Sequence, residues 1–278
     1  MWRLLSLIAF MLVFVQALDN ILPALPEESP LLPESAREQR EWDAKLKGAM
    51  SLFAPDTGSK GPRDGEVELM ANGKRVDSAG LRTLLGAEAR KSAFFVYRFH
   101  GVESASASAL GLDRQHHFVN AFLEGYSPFK TQNVFVPLAV LARKKTYMLD
   151  NLNHGGDEVW QTSRQAYWFT RGDCEDHAIA LADWLIDMGE DARVALGTYK
   201  GGGHAWVVLI KEGQEYILEA TQKNGVAGIK RYPLASLQPE YEPQFQFNRT
   251  RFWANLGSKQ TTRYRGNHWL EKSRYHHL

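Results

Sequence analysis

The clearest helical pattern in the chain runs from Cys174 to Met188. Its sequence, CEDHAIALADWLIDM, places apolar residues three or four positions apart, and Gly189 follows as a stop signal. Asp173 suits the N-cap position, and Asp176, three residues later, is the expected partner in a capping box. The pattern therefore predicts a helix whose first turn begins at Cys174.

Three strands are predicted directly after this helix, at Ala192–Tyr199, His204–Ile210 and Tyr216–Ala220. A glycine-rich loop, 200–203, separates the first two, and a short turn at 212–213 joins the last two. These elements predict an antiparallel sheet beside the helix.

The turn between the second and third strands fixes which side chains meet. A two-residue turn pairs Lys211 with Gln214, which places His204 diagonal to Glu219 on one face of the sheet. Diagonal neighbours lie about 7–8 Å apart by backbone, within reach of long side chains. An odd-length loop would instead place His204 and Glu219 on opposite faces.

Weaker patterns predict the elements in the rest of the chain. They are helices at 36–53, 79–92, 117–126 and 135–149, a hairpin at 66–77, a strand at 93–99 and a loop at 102–111.

The first residues carry one positive charge, Arg3, and then a mainly apolar run from Leu4 to Val15. The run is too short to cross a bilayer comfortably and ends in small residues, which is typical of a secretory signal peptide. We therefore expect a periplasmic or secreted protein that meets the membrane only if the signal is left uncleaved. A protein or peptide of the cell envelope is the expected partner.

The chain divides into five predicted segments. They are a signal peptide at 1–17, a proline-rich linker at 18–35, an α/β region of unassigned role at 36–130, a catalytic core at 131–255 and a basic tail at 256–278.

The net charge and the cysteine count narrow the classes of function to be considered. The net charge of +1 gives no reason to expect nucleic-acid binding. Cys174 is the only cysteine, so an intramolecular disulfide is excluded. A lone thiol in an exported protein must be buried or functional.

Cys174 sits where a helix N-terminus lowers a thiol pKa, and the free backbone N–H groups there can hold an oxyanion. With His204 as base and Glu219 as the acid that orients it, Cys174 completes a nucleophile–base–acid set. Trp160 and Gln161 are candidates for the second oxyanion donor, and a core role is the alternative for Trp160.

The motif GDCEDHA, followed by HAWVVL and YILEAT, resembles the bacterial transglutaminase-like cysteine peptidases, distantly the LapG-like branch. The resemblance implies an α+β, papain-like fold with the nucleophile helix packed on an antiparallel sheet, and a periplasmic location. It implies a hydrolase that cleaves an amide bond through a Cys174 thioester, with His204 and Glu219. Glu219 stands where the LapG-like proteases carry Asp.

Three acids surround the cysteine, and like-charge repulsion from them opposes a thiolate. In the LapG-like branch the acids that flank the cysteine bind calcium. Asp173, Glu175 and Asp176 can supply oxygen ligands to calcium, which would offset their charge. The alternative is that they only cap the helix and face water.

Three other functions stay open from the sequence. The same residues can pass the acyl group to an amine instead of water. Cys174, His177, His204 and Glu219 can instead bind zinc. The domain can also bind an envelope protein without turnover.

Overall fold

The computed structural model describes residues 66–69, 75–77, 93–99, 102–155, 158–222 and 231–275. The predicted signal peptide, the proline-rich linker and the helices at 36–53 and 79–92 lie outside the described residues. None of the helices within the described ranges is long and apolar enough to cross a membrane.

One sheet is built from the first half of the described chain. Its strands are β1 (Glu66–Leu69), β2 (Arg75–Asp77), β3 (Ala93–Phe99), β4 (Val102–Gly111), β5 (His116–Phe118) and β7 (Val159–Trp160). They lie in the order β2-β1-β3-β4-β5, and β7 joins β4 in parallel. The antiparallel pairing of β1 with β2 confirms the predicted hairpin.

A second, antiparallel sheet carries the predicted strands after the cysteine. Its members are β9 (Asp191–Tyr199), β10 (Gly202–Lys211), β11 (Gln214–Leu218), β12 (Tyr241–Phe247), β13 (Arg251–Asn255) and β14 (Trp269–Arg274), in the order β11-β10-β9-β12-β13-β14. The pairing of Lys211 with Gln214 is the register that the sequence predicts.

Four α-helices lie among the described residues. They are α1 (Phe135–Lys144), α2 (Asp150–Asn153), α3 (Ser163–Trp168) and α4 (Cys174–Asp187). The helix α4 packs on β9 and β10, and its residues from Cys174 to Leu185 are buried. The fold is therefore α+β, with the predicted cysteine helix packed on an antiparallel sheet.

A small parallel pair joins the connections around α4. The strands β6 (Thr146–Tyr147) and β8 (Arg171–Gly172) pair in parallel. Because β8 directly precedes α4 and β6 directly precedes α2, this pair brings the starts of the two helices together.

The loop predicted at 102–111 is wrong, because this segment forms β4. Small polar and small apolar residues alternate along it, and Ala105, Ala107 and Ala109 point into the core. This alternation has the period of a strand, and it outweighs the polarity of the serines.

Two predicted helices differ from those observed. Residues 117–126 contain the end of β5 and a 3-10 helix at Val119–Phe122, where Asn120 bonds the backbone of the β12–β13 turn. The helix predicted at 135–149 ends at Lys144, because Lys145 is extended and leads into β6.

The basic tail predicted at 256–278 is wrong for Trp269–Arg274, which forms β14 beside β13. Tyr264 is fully buried, and Trp206 donates its indole N–H to the Tyr264 hydroxyl at 3.0 Å. Aromatic side chains therefore anchor this segment to the second sheet, although its charge is typical of a solvated tail. The other segment boundaries stay predictions.

Candidate active site

Cys174 is the first residue of α4, and its side chain is buried with 7% exposed. Asp173 is extended and holds the N-cap position, as predicted. Its carboxylate makes no capping hydrogen bond, so this half of the predicted capping box is wrong. The reciprocal half is present, because the backbone N–H of Asp173 lowers the pKa of Asp176 through a hydrogen bond.

His204 on β10 and Glu219 just after β11 form a buried ion pair, with His204 Nε2 2.8 Å from Glu219 Oε2. The side chain of His204 is 1% exposed and that of Glu219 is 8% exposed. This juxtaposition follows from the predicted two-residue turn and confirms the predicted register of the two strands.

Four contacts hold the Glu219 carboxylate. Thr221 donates its backbone N–H and its hydroxyl to Oε1 at 3.0 and 2.6 Å. Tyr241 donates its hydroxyl to Oε2 at 3.0 Å, beside the His204 contact. Burial alone would raise the pKa of Glu219, but His204 and the Thr221 hydrogen bonds lower it below its ordinary value. Glu219 is therefore held as a carboxylate in one position.

The Cys174 thiol lies against the strand that carries the histidine. The backbone N–H of Ala205, the next residue after His204, lowers the pKa of this thiol. Burial and the nearby Asp173 outweigh that effect, so the pKa of Cys174 is raised well above its ordinary value. The thiol also donates to Glu175 Oε2 at 3.3 Å. Without a cation, Cys174 is therefore a neutral thiol in this site.

Asp150, Asp173, Glu175 and Asp176, which we term the acid cluster, lie together beside Cys174. All four are buried, and the ligand atoms of Asp150, Asp173 and Glu175 lie within 4.8 Å of one another. One oxygen of each carboxylate is buried without a hydrogen-bond partner: Asp150 Oδ1, Asp173 Oδ1, Glu175 Oε1 and Asp176 Oδ2. The alternative that these acids face water is therefore wrong.

The acid cluster differs from the predicted metal ligands in one member. The ligand atoms of Asp173 and Glu175 lie close to that of Asp150. Asp176 belongs to a different group, in which its ligand atom lies close to that of Asp150. The sequence did not identify Asp150, because only the parallel pairing of β6 with β8 brings it to α4. No local spacing rule links residues so far apart in the chain.

Burial raises the pKa of every carboxyl in the acid cluster, and the neighbouring carboxylates raise those of Asp150, Asp173 and Glu175 further. For Asp176 the pKa is about 7, although Lys145 and the Gln161 N–H lower it. Burial and mutual repulsion among like charges are the causes of this pattern.

Lys145 is a buried basic residue close to the acid cluster. Its ammonium donates to the carbonyl oxygens of Phe169 and Arg171 at 3.0 and 3.3 Å. Burial lowers its pKa to about 8, while Asp176 and Asp173 act in the opposite direction. Lys145 therefore acts on two of the four acids of the cluster, Asp173 and Asp176.

The two oxyanion candidates both make structural contacts. Trp160 is buried against Phe122 and Phe247, and its indole N–H donates to Glu158 at 3.3 Å. Gln161 donates its backbone N–H to Asp176 at 2.7 Å and its side-chain amide to the Arg171 carbonyl at 2.9 Å. The oxyanion role of Trp160 or Gln161 stays a prediction.

The zinc alternative finds no support in the geometry. Among the residues that the structure describes, the groups able to hold a metal ion contain none of Cys174, His177 and His204. His177 lies with Nδ1 3.3 Å from the carbonyl oxygen of Ala220, which links α4 to the end of β11.

One family model and two curated relatives are similar to part of this chain. The family model described as the CEP76 peptidase-like domain matches residues 158–274, which include Cys174, His204 and Glu219. Human Protein CC2D2B is 36% identical over 63 residues, which are 23% of this chain and 4% of that protein. Mouse Centrosomal protein of 76 kDa is 44% identical over 55 residues, 19% of this chain and 8% of that protein. The matched segments are thus small parts of both relatives.

Solved structures of LapG from Legionella pneumophila are also similar. The calcium-bound form has a TM-score of 0.36 and 20% identity, covering 49% of this chain and 74% of that chain. The EGTA-treated form has a TM-score of 0.36 and 18% identity, covering 48% and 72%. The family match supports a distant peptidase-like relationship for residues 158–274.

Proposed function

We propose that this protein is a cysteine peptidase or amidase that cleaves an amide bond through a thioester on Cys174. The observation that carries the proposal is the buried His204–Glu219 pair, whose histidine lies on β10, a strand packed against α4. A histidine fixed by a carboxylate beside a helix N-terminal thiol is the arrangement that activates a nucleophile.

The proposed steps assign one role to each group. Glu219 occupies His204 Nε2, which leaves Nδ1 to accept the Cys174 proton. The sulfur adds to the substrate carbonyl, and the backbone N–H groups at the start of α4 stabilise the oxyanion. The amine leaves with the proton from His204, and water then hydrolyses the thioester with His204 again as the base.

We propose that calcium binds the acid cluster and makes this chemistry possible. The unpartnered oxygens of Asp150, Asp173 and Glu175 are hard donors at a spacing that fits one cation. When bound, calcium would supply positive charge that favours the ionised acids and the Cys174 thiolate. The role of this chain's residues is to hold that charge next to the nucleophile.

The substrate and location are part of the proposal. The apolar N-terminus supports export, and we propose a protein or peptide of the cell envelope as the substrate. The whole-protein activities of the relatives carry no weight here, because the matched segments cover 4% and 8% of them.

Iodoacetamide labelling of the native protein tests the nucleophile. We expect Cys174 to be alkylated rapidly in calcium and slowly after chelation. His204→Ala should slow the calcium-dependent rate by roughly 100-fold, the lower end of the effect of a positioned base. His117→Ala, which removes an exposed histidine paired with Asp113, is the matched control. Equal rates in wild type and His204→Ala would overturn the proposed triad.

Turnover needs a second experiment. Wild type and Cys174→Ala protein would be incubated with an envelope extract, with and without a fluorescent primary amine, and analysed for new N-termini by mass spectrometry. New N-termini formed only by wild type support hydrolysis, and incorporation of the amine supports acyl transfer. If calcium fails to activate the thiol, the raised pKa of Cys174 would favour the alternative in which the domain binds an envelope protein without turnover.

A further inference from the structure

Two acids of the acid cluster, Asp150 and Asp176, also lie close to a histidine. Asp150, His154 and Asp176 each offer one ligand atom, and these atoms lie within 4.8 Å of one another. Asp150 belongs to both this group and the group with Asp173 and Glu175. We term Asp150, His154 and Asp176 the histidine side of the cluster.

Each carboxylate on the histidine side has one oxygen to spare. Asp150 Oδ2 accepts a hydrogen bond from the Val159 N–H, and Asp176 Oδ1 accepts one from the Gln161 N–H. Asp150 Oδ1 and Asp176 Oδ2 are buried with no partner, in side chains that are 3% and 0% exposed. A buried carboxylate oxygen without a donor is costly unless a ligand supplies positive charge.

The imidazole of His154 places one ring nitrogen within 4.8 Å of the ligand oxygens of Asp150 and Asp176. Its Nε2 lies 2.9 Å from Asn153 Nδ2 and 3.3 Å from Gln161 Nε2. The orientation of the Gln161 amide is fixed, because Nε2 also donates to the Arg171 carbonyl at 2.9 Å. Since both neighbours are N–H donors, Nε2 accepts from them and carries no proton in the neutral ring, which is the form that binds metals. A cation on Nε2 would take the place of these two hydrogen bonds.

Access and donor chemistry point to one kind of ligand. His154 is partly exposed, whereas the two carboxylates are buried, so an ion can enter past the imidazole. One imidazole nitrogen with two carboxylate oxygens suits a borderline divalent cation such as zinc or cobalt better than calcium, which takes oxygen. Three protein ligands also leave a coordination position for water.

We propose that Asp150, His154 and Asp176 form a binding site for a transition-series divalent cation. The site shares Asp150 with the group of Asp150, Asp173 and Glu175 and differs from it in the other two ligands. The proposal rests on metal binding alone and stands whether or not Cys174 is a nucleophile. Because both groups include Asp150, calcium and zinc should weaken each other's binding.

Isothermal titration with Zn²⁺ in calcium-free buffer tests the site, in full-length protein carrying Cys174→Ser so that the sole thiol cannot bind the metal. We expect one zinc ion to bind per chain. His154→Ala should lower the zinc affinity at least about 10-fold, because even the loss of a residue that only supports a metal ligand usually lowers metal affinity by that much. The same variant should keep the calcium affinity of the group of Asp150, Asp173 and Glu175 within about twofold of the wild-type value. Glu175→Gln should show the reverse pattern.

Cobalt provides a second measurement, because its visible absorption reports an imidazole ligand directly. We expect the Co²⁺ spectrum of the Cys174→Ser protein to change in His154→Ala and to persist in the His117→Ala control. Zinc affinity and cobalt spectrum unchanged in His154→Ala would overturn the proposal. Equal loss of calcium and zinc in His154→Ala would also overturn it, because His154 would then act on the shape of the whole cluster.

Discussion

Tyr241 and His204 contact the same oxygen, Glu219 Oε2, at 3.0 and 2.8 Å. Tyr241 comes from β12, on the far side of β9 from β10, so three strands converge on one carboxylate. The ring of Tyr241 also packs edge-on against Trp206 at 5.1 Å between centroids. Tyr241 is thus placed to position the histidine through Glu219.

Tyr241→Phe should slow alkylation of Cys174 by roughly 10-fold, because outer partners of a functional ligand typically contribute 10- to 100-fold. The variant keeps the ring and removes only the hydroxyl, so the protein should fold normally. The pH at which the alkylation rate is half-maximal should also move, since Glu219 loses a donor that holds it as an anion. A purely structural role would leave that midpoint in place.

Tyr199→Phe is the matched control for this prediction. The ring of Tyr199 lies tilted against that of Tyr241 with centroids 4.4 Å apart, so it tests the same aromatic cluster. We expect its alkylation rate and midpoint to match wild type. Equal slowing in Tyr199→Phe and Tyr241→Phe would show that the effect does not depend on the hydrogen bond from Tyr241 to Glu219.

Much of the His204–Glu219 arrangement could be predicted from sequence, because a two-residue turn fixes strand register. Glu212 and Gly213 both have positive φ, 51° and 78°, as the tight turn requires. The register then decides which side chains share a face. Nothing in the same stretch indicates Tyr241, which arrives through the pairing of β9 with β12.

The acid cluster could be predicted only in part. Asp173, Glu175 and Asp176 are visible as neighbours of the cysteine, but their burial is a property of how α4 packs on the sheet. Asp150 and His154 reach them through the β6–β8 pair, whose strands have two residues each. Strands this short leave no period in the sequence to detect.

Protein stability should fall as the pH rises when no divalent cation is present. The Asp176 carboxyl has a pKa of about 7 in the folded protein against 3.8 in the unfolded chain. Between these values the folded state binds more protons, so raising the pH favours unfolding. The other carboxyls of the acid cluster are raised as well and act in the same direction.

Thermal melts at pH 5 and pH 7.5, in chelator and in calcium, measure this effect. We expect a lower Tm at pH 7.5 than at pH 5 in chelator, and a larger increase in Tm from calcium at pH 7.5. Lys145, with a pKa of about 8, titrates above this range and does not reverse the trend. A calcium effect of equal size at both pH values would contradict a cation held by these carboxyls.

Asp183, a buried carboxylate of α4 outside the acid cluster, tests how this helix is fixed. Arg249 Nε donates to Asp183 Oδ1 at 2.5 Å, and the N–H groups of Gly125 and Tyr126 donate to Oδ2 at 2.9 and 2.7 Å. Asp183 is fully buried. Arg249→Ala should lower the free energy of unfolding by about 3 kcal/mol, because it leaves a buried charge without its partner.

Arg251→Ala serves as the control for the buried pair. Arg251 lies 3.5 Å from Glu271, and its side chain is 50% exposed. Exposed ion pairs contribute at most about 1 kcal/mol, so denaturant melts should separate the two variants clearly. A similar cost for Arg249→Ala and Arg251→Ala would mean that Asp183 is satisfied by the backbone N–H groups alone.

Gly172 has no side chain, and Asp176 fills the space where one would lie. A Cβ added at Gly172 would lie 2.5 Å from Asp176 Oδ2 and 2.8 Å from its Cβ, inside van der Waals contact. Gly172→Ala must therefore displace Asp176, so we expect zinc affinity to fall by at least about 10-fold. Gly111→Ala is the control, because its Cβ would meet two side chains outside the site, Asp113 Oδ1 at 2.7 Å and His117 Cδ2 at 3.1 Å. These side chains can move, so zinc binding should be retained. Loss in both variants would point to a general effect on folding rather than on the site.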